Sequence, residues 1–165
     1  MSDPKFTEAD ADRAFEEWGC NCGPGALAAI MGMTLDAVRL FLPEFDARRY
    51  TSPTMMFDAL QRIGRPWERC ARKTWPKYGL VRIQWEGPWC DDGVPIAARY
   101  RHTHWVGAET FRIAGVVVFD INCMNNGSGW VSLEDWSSII VPHLLAGHKR
   151  ATGRWHITHA IEVTP

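Results

Sequence analysis

The stretch WGCNCGPGALAAI, residues 18–30, places two cysteines one residue apart, then Gly-Pro-Gly, then small apolar side chains. Its second half reads as a helix. Proline is tolerated in a first helical turn, where its missing N–H would be unpaired anyway, so Gly23-Pro24 marks the start. Residues 26–31 are apolar without interruption, which predicts a helix buried on most sides, and Gly32 ends it. Cys22 then stands immediately before the helix, where unpaired amides and the helix dipole favour an anion and lower a thiol pKa. Three roles are open to it: a nucleophile, half of a Cys-x-Cys metal or redox site with Cys20, or a core residue.

Working outward, Thr34 caps a second short helix, LDAVRLFL, residues 35–42, stopped by Pro43. A third follows TSPT: Met56, Leu60 and Ile63 recur at helical spacing and Gly64 closes it. Beyond residue 78 the texture changes. Val81, Ile83 and Trp85 alternate with polar neighbours, the pattern of a half-buried strand. THWVGAE and GVVVFDIN read as two strands joined by a turn around Arg112–Gly115. GWVS is a further short strand, Ser132 with Asp135 opens the helix LEDWSSII, and RWHITHAIEV closes the chain as a strand. Helices first and antiparallel strands later predict one α+β domain over residues 1–165. Its parts are an acidic segment at 1–17, a helical half at 18–64 with the nucleophile candidate, and a sheet half at 79–165.

A thiolate nucleophile needs a base and an oxyanion donor. His102 and His104 lie two apart on a predicted strand, so they share a face; Asp120 and Asn122 do the same on the next. A hairpin sets these strands side by side, so a carboxylate or amide on one can hold an imidazole on the other in the right tautomer.

The order cysteine, strand histidine, then Asp or Asn resembles a papain-like site. NCGPGALAAIMGMTLDAVR looks like the nucleophile helix of compact papain-like cysteine peptidases, including those that remove double-glycine leaders from bacteriocin precursors. HWVGAETFRIAGVVVFDIN, followed by GSGWVSLEDW, looks like their second half, and TSPTMMFDALQRIG is similar to a helix of small phage and bacterial members. The resemblance covers residues 16–42, 51–64 and 104–140. It implies Cys22 as nucleophile, His104 as general base, Asp120 as the group that orients it, and a polypeptide substrate. The sequence departs from the pattern twice. Glu16 stands where the family has an oxyanion-donating glutamine, and a charged carboxylate cannot donate. Asn21, Trp18 or the Cys22 backbone N–H are the substitutes. DIN replaces the commoner Asp-Pro, which makes Asn122 a rival orienting residue, with His102 a neighbour on the same face. With an incomplete oxyanion hole the same fold would serve as a binding or structural module.

Other readings rest on composition. Cys20, Cys22, His102 and His104 together could supply four zinc ligands, although Cys-x-Cys is tighter than usual spacing. The run RIGRPWERCARKTWPKYGLVR mixes cations with Trp67, Trp75 and Tyr78, as nucleic-acid grooves do, but also as a solvated face does. Trp85 and Trp89 in WEGPWC could wall a cleft. Net charge is −1 over 165 residues, so no general attraction to nucleic acid or membrane is expected. Five cysteines make an odd, scattered set rather than a disulfide framework, and residues 1–18 lack the layout of a secretion signal. A reducing cytoplasmic setting or a phage virion is the expectation, with no cofactor and no membrane contact.

Overall fold

The structure, a computed structural model, describes residues 3–164. The acidic N-terminal segment, expected only as a block of charge, folds as helix α1, Glu8–Trp18. Thr7 and Asp10 cap it reciprocally: the Thr7 hydroxyl accepts from the Asp10 N–H, and the Asp10 carboxylate accepts from the Thr7 N–H. Ala11 and Ala14 are buried, and the acidic residues face outward. Helix α2 is Cys22–Met31, so it opens one residue earlier than Gly23-Pro24 implied, and Gly23 through Met31 are buried. Helix α3 is only Leu35–Arg39; the expected turn to residue 42 unwinds ahead of Pro43, which disfavours helical backbone in the residue before it. Helix α4, Phe45–Arg48, is a single turn. Helix α5, Pro53–Ile63, is capped by the Ser52 hydroxyl, carries proline at its start and ends on Gly64 at φ 79°.

Six strands form one antiparallel sheet: β1 Trp67–Arg69, β2 Tyr78–Trp85, β3 Thr103–Phe111, β4 Gly115–Phe119, β5 Trp130–Ser132 and β6 Trp155–Val163. Their order is β1-β6-β2-β3-β4-β5, so the last strand inserts between β1 and β2. The β3–β4 turn falls at Arg112–Gly115 as expected. β1 was not foreseen, because three residues carry too little alternation to register.

β2 departs from expectation. It is buried along almost its whole length rather than on one face. Leu80 joins the helical core with Leu27, Ile30 and Trp105. Val81, Ile83 and Trp85 join a second core on the opposite face with Trp136, Val141 and Leu145. That second layer is a helical segment running from Leu133–Asp135 through a π-helical turn, Trp136–Ile140, to Val141–Leu145. Pro142 cannot donate to the preceding turn, and a π turn is one way a helix absorbs that loss.

The start of α2 is positioned by close packing. A Cβ on Gly23 would run into the Thr51 side chain, and one on Gly25 into Ile121. The Thr51 carbonyl accepts from the indole N–H of Trp105 at 2.8 Å, so this loop, α2 and β3 are fixed together. Gly23→Ala should therefore cost about 1–3 kcal/mol of stability through overpacking. Gly147→Ala, whose added methyl meets nothing, should leave the urea midpoint unchanged. Equilibrium unfolding of both variants checks the pair.

Candidate active site

Asp120 lies just past β4, in extended backbone, and opens the 3₁₀ turn Ile121–Asn126. The expected strand face shared by Asp120 and Asn122 is therefore not formed. The Asp120 carboxylate is 0% exposed and accepts four hydrogen bonds. Oδ2 takes His104 Nε2–H at 2.8 Å and Trp136 Nε1–H at 2.9 Å. Oδ1 takes the backbone N–H of Asn122 at 3.0 Å and its side-chain amide at 2.8 Å. Burial alone would raise this carboxyl. The charge of His104 and the donated hydrogen bonds outweigh it and bring the pKa to about 2.

His104, on β3, is 8% exposed. Burial opposes its charge, but Asp120, with a further contribution from Cys20, raises its pKa above the ordinary value. With Nε2 given to Asp120, Nδ1 is the nitrogen left for proton exchange. The ring stacks on Trp85 with centroids 5.7 Å apart, and Trp85 stacks in turn on Trp136 at 6.0 Å. Trp85 is thus the support beneath the histidine and not a cleft wall.

Cys22 is the first residue of α2, and its sulfur accepts from the backbone N–H of Trp105, the residue after His104. Nucleophile helix and histidine strand meet here. Cys20 Sγ lies 3.8 Å from Cys22 Sγ. Donation from the Cys22 thiol lowers Cys20 below the ordinary thiol range, against the burial that would raise it. The same contact, followed by burial and the nearby Cys20 and Asp120 charges, pushes Cys22 well above the ordinary thiol range. The lowering expected for Cys22 at a helix start is overridden by its neighbour.

The supporting candidates separate clearly. Asn122 donates twice to Asp120 and so buttresses it instead of replacing it. Asn21 is buried and its amide donates to the Ala11 carbonyl at 2.9 Å, which ties α1 to the helix start. Trp18 packs edge-on to Phe45 and beneath Arg39, not toward an oxyanion. His102 precedes β3 and packs on Trp89 and His148. Glu16 is exposed and borders a cleft of about 340 Å³ with Asp12, Asn21 and Asn122. At the helix start, Gly25 N–H bonds to Asn21 and Pro24 has none to give, so the Cys22 and Gly23 backbone N–H groups are the oxyanion donors the geometry offers.

Residues missed from the sequence are Trp136 and Arg82. Arg82 is 7% exposed although it lies in a basic stretch expected at the surface. Of the supposed base-stacking aromatics, Trp75 packs on Trp136 and Trp155, Trp67 stacks on Phe57, and Tyr78 donates to the Ile30 carbonyl. Among the described residues, no group of three or more His, Cys, Asp or Glu side chains converges to hold a metal ion. No helix is long and apolar enough to cross a membrane.

Comparison of the chain with models of known protein families gives no match, and comparison with curated protein sequences gives none either.

The buried pair makes stability depend on pH in two windows. Asp120 is depressed from 3.8 to about 2, so its contribution is present above the unfolded value and is lost as pH falls between the two. His104 is raised from 6.5, so its contribution is full below that value and is lost as pH rises through the folded one. Asp120→Asn should flatten both arms. The stability gap between wild type and variant should close by about 2 kcal/mol between pH 5 and pH 2, read by urea unfolding across pH.

Proposed function

We propose that the protein is a thiol-dependent hydrolase of peptide or isopeptide bonds, working through Cys22, His104 and Asp120 in a papain-like arrangement. The observation that carries this reading is the buried His104–Asp120 hydrogen bond at 2.8 Å, set beside a thiol at a helix start. A surface histidine has no need of a fully buried carboxylate held by three further hydrogen bonds. A base that must stay in one tautomer and gain a proton does.

The steps follow from the groups in place. His104 Nδ1 takes the Cys22 proton and becomes the imidazolium, which leaves the Cys22 thiolate. Cys22 Sγ attacks the carbonyl carbon, and the oxyanion forms against the Cys22 and Gly23 amides. Collapse breaks the C–N bond while the His104 imidazolium gives its proton to the departing amine. His104 then takes a proton from water, which attacks the thioester; the acid leaves and Cys22 departs as the thiolate. Asp120 keeps Nε2 occupied throughout, so Nδ1 alone exchanges protons.

One observation favours a second reading. Cys22 is pushed well above the ordinary thiol range, and Glu16 replaces a side-chain oxyanion donor, so the same fold could bind a polypeptide without turning it over.

Iodoacetamide labelling of Cys22 against pH, with the label located by peptide mass spectrometry, separates the two. In wild type Cys22 should react only above a free thiol's pKa of about 8.5, because its contact with Cys20 holds it protonated, and His104→Ala should slow it further. Indifference to His104 would remove the catalytic reading. Cys20→Ala removes the first cause of the raised Cys22 pKa, so the labelling profile of Cys22 should move to lower pH. Loss of all fast labelling in that variant would instead make Cys20 the nucleophile.

A further inference from the structure

The buried cation of β2 is unexplained by the triad. Arg82 stands in the centre of the sheet, paired with Trp105 on β3 and with His159 on β6. Its side chain takes the face opposite Val81, Ile83 and Trp85. One terminal nitrogen donates to the Thr103 hydroxyl at 3.1 Å, and the guanidinium lies 5.8 Å from the centre of the Tyr100 ring. Its Nε is buried without a hydrogen-bond partner. Among the described residues no carboxylate lies within salt-bridge distance of it. The acidic groups whose charge reaches it are the Tyr100 hydroxyl and the Cys22 thiol.

A guanidinium removed from water costs several kcal/mol unless an anion or a full set of acceptors replaces the lost hydration. Neither is present here. Tyr100, which covers Arg82, also lines a neighbouring cavity of about 120 Å³ with Gln84, Cys90, Arg99 and His156. Gln84 is equally buried, and its carbonyl oxygen is likewise unpartnered. The cavity has Arg99 and His156 in its lining, Gln84 with its unpartnered carbonyl oxygen among its walls, and Tyr100 between it and Arg82. Arg82 with a carboxylate has the charge-assisted, two-pronged geometry that arginine supplies best.

We infer that Arg82 is a specificity-determining residue that receives a carboxylate of the peptide substrate beside the cleaved bond. This deepens the hydrolase reading and rests on it. The basic stretch of residues 62–82 is then solvent-facing for most of its length, and its last member turns inward to meet an acidic side chain.

Two haloacetates differing in one charge test it. The rates at which iodoacetate and iodoacetamide alkylate Cys22 are measured, and their ratio is divided by the same ratio for free cysteine. Wild type should favour iodoacetate by about tenfold, the size of a charge-assisted hydrogen bond. Arg82→Gln should bring the normalised ratio back to that of free cysteine by slowing iodoacetate more than iodoacetamide, and Arg82→Lys should retain part of the preference. A wild-type ratio at or below that of free cysteine overturns the inference without any variant having to fold. So does a ratio unmoved in Arg82→Gln, as does an equal fall in both rates, which would mean that Arg82 acts on the thiol alone. Failure of the hydrolase reading looks different: slow iodoacetamide labelling that ignores His104→Ala. Protection of Cys22 by N-acetylglutamate amide but not by N-acetylglycine would assign a side-chain carboxylate, and the reverse would assign a chain terminus.

Discussion

A carboxylate with no exposed surface is the constraint on which this structure turns. Asp120 exists as an anion only because donors arrive from several directions: His104 from β3, Asn122 from the turn that follows, and Trp136 from the helical segment beyond β5. Each donor fixes the element that carries it. Trp136 is also fully buried in the second core, where it contacts Trp75, Trp85 and Trp155. Removing the anion would strand buried donors and loosen the packing of that whole face, because an unpaired buried polar group costs more than a made hydrogen bond returns. The chemistry of the site and the stability of the second core are thus one interaction seen from two sides.

The thiols obey a different balance. A helix start favours a thiolate, yet a second thiol at 3.8 Å adds both a competing acceptor and, once ionised, a like charge. A charge on either sulfur settles on the one that can accept from the other. A nucleophile kept protonated is less exposed to oxidation and less reactive toward passing electrophiles. In the proposed reaction it would become available when a bound substrate changes the balance, for example by bringing its carbonyl oxygen to the Cys22 and Gly23 amides.

The sequence made the α+β order, the α2 helix, the β3–β4 hairpin and the meeting of His104 with Asp120 legible, because each rests on local pattern: Gly-Pro at a helix start, alternation, a short turn. What it hid was long-range. β6 joins the sheet between β1 and β2, and β2 is covered on both faces, neither of which alternation within one strand can reveal. The capping pair at Thr7 and Asp10 was visible in principle, but the run of acidic residues around it drew the reading toward charge. Trp136 lies inside a segment correctly read as helical, yet a π turn sets where its indole points, and no helical period encodes that.

The same strand that hid its burial also shows why the site can have a floor and a wall of opposite character. On β2, Val81, Ile83 and Trp85 pack into the apolar core that supports His104 from beneath. Arg82 and Gln84 alternate with them and belong to the other face, where polar groups are left without partners. In a half-buried strand that face would meet water and the pattern would need no explanation. Here it is buried, and the Arg82 Nε and the Gln84 carbonyl oxygen have no protein partner, which is costly to keep. Folding alone would favour an aliphatic residue at position 82. An arginine there is understandable if the cost is recovered when an anion enters, so the energetic deficit of the empty fold becomes binding energy for substrate.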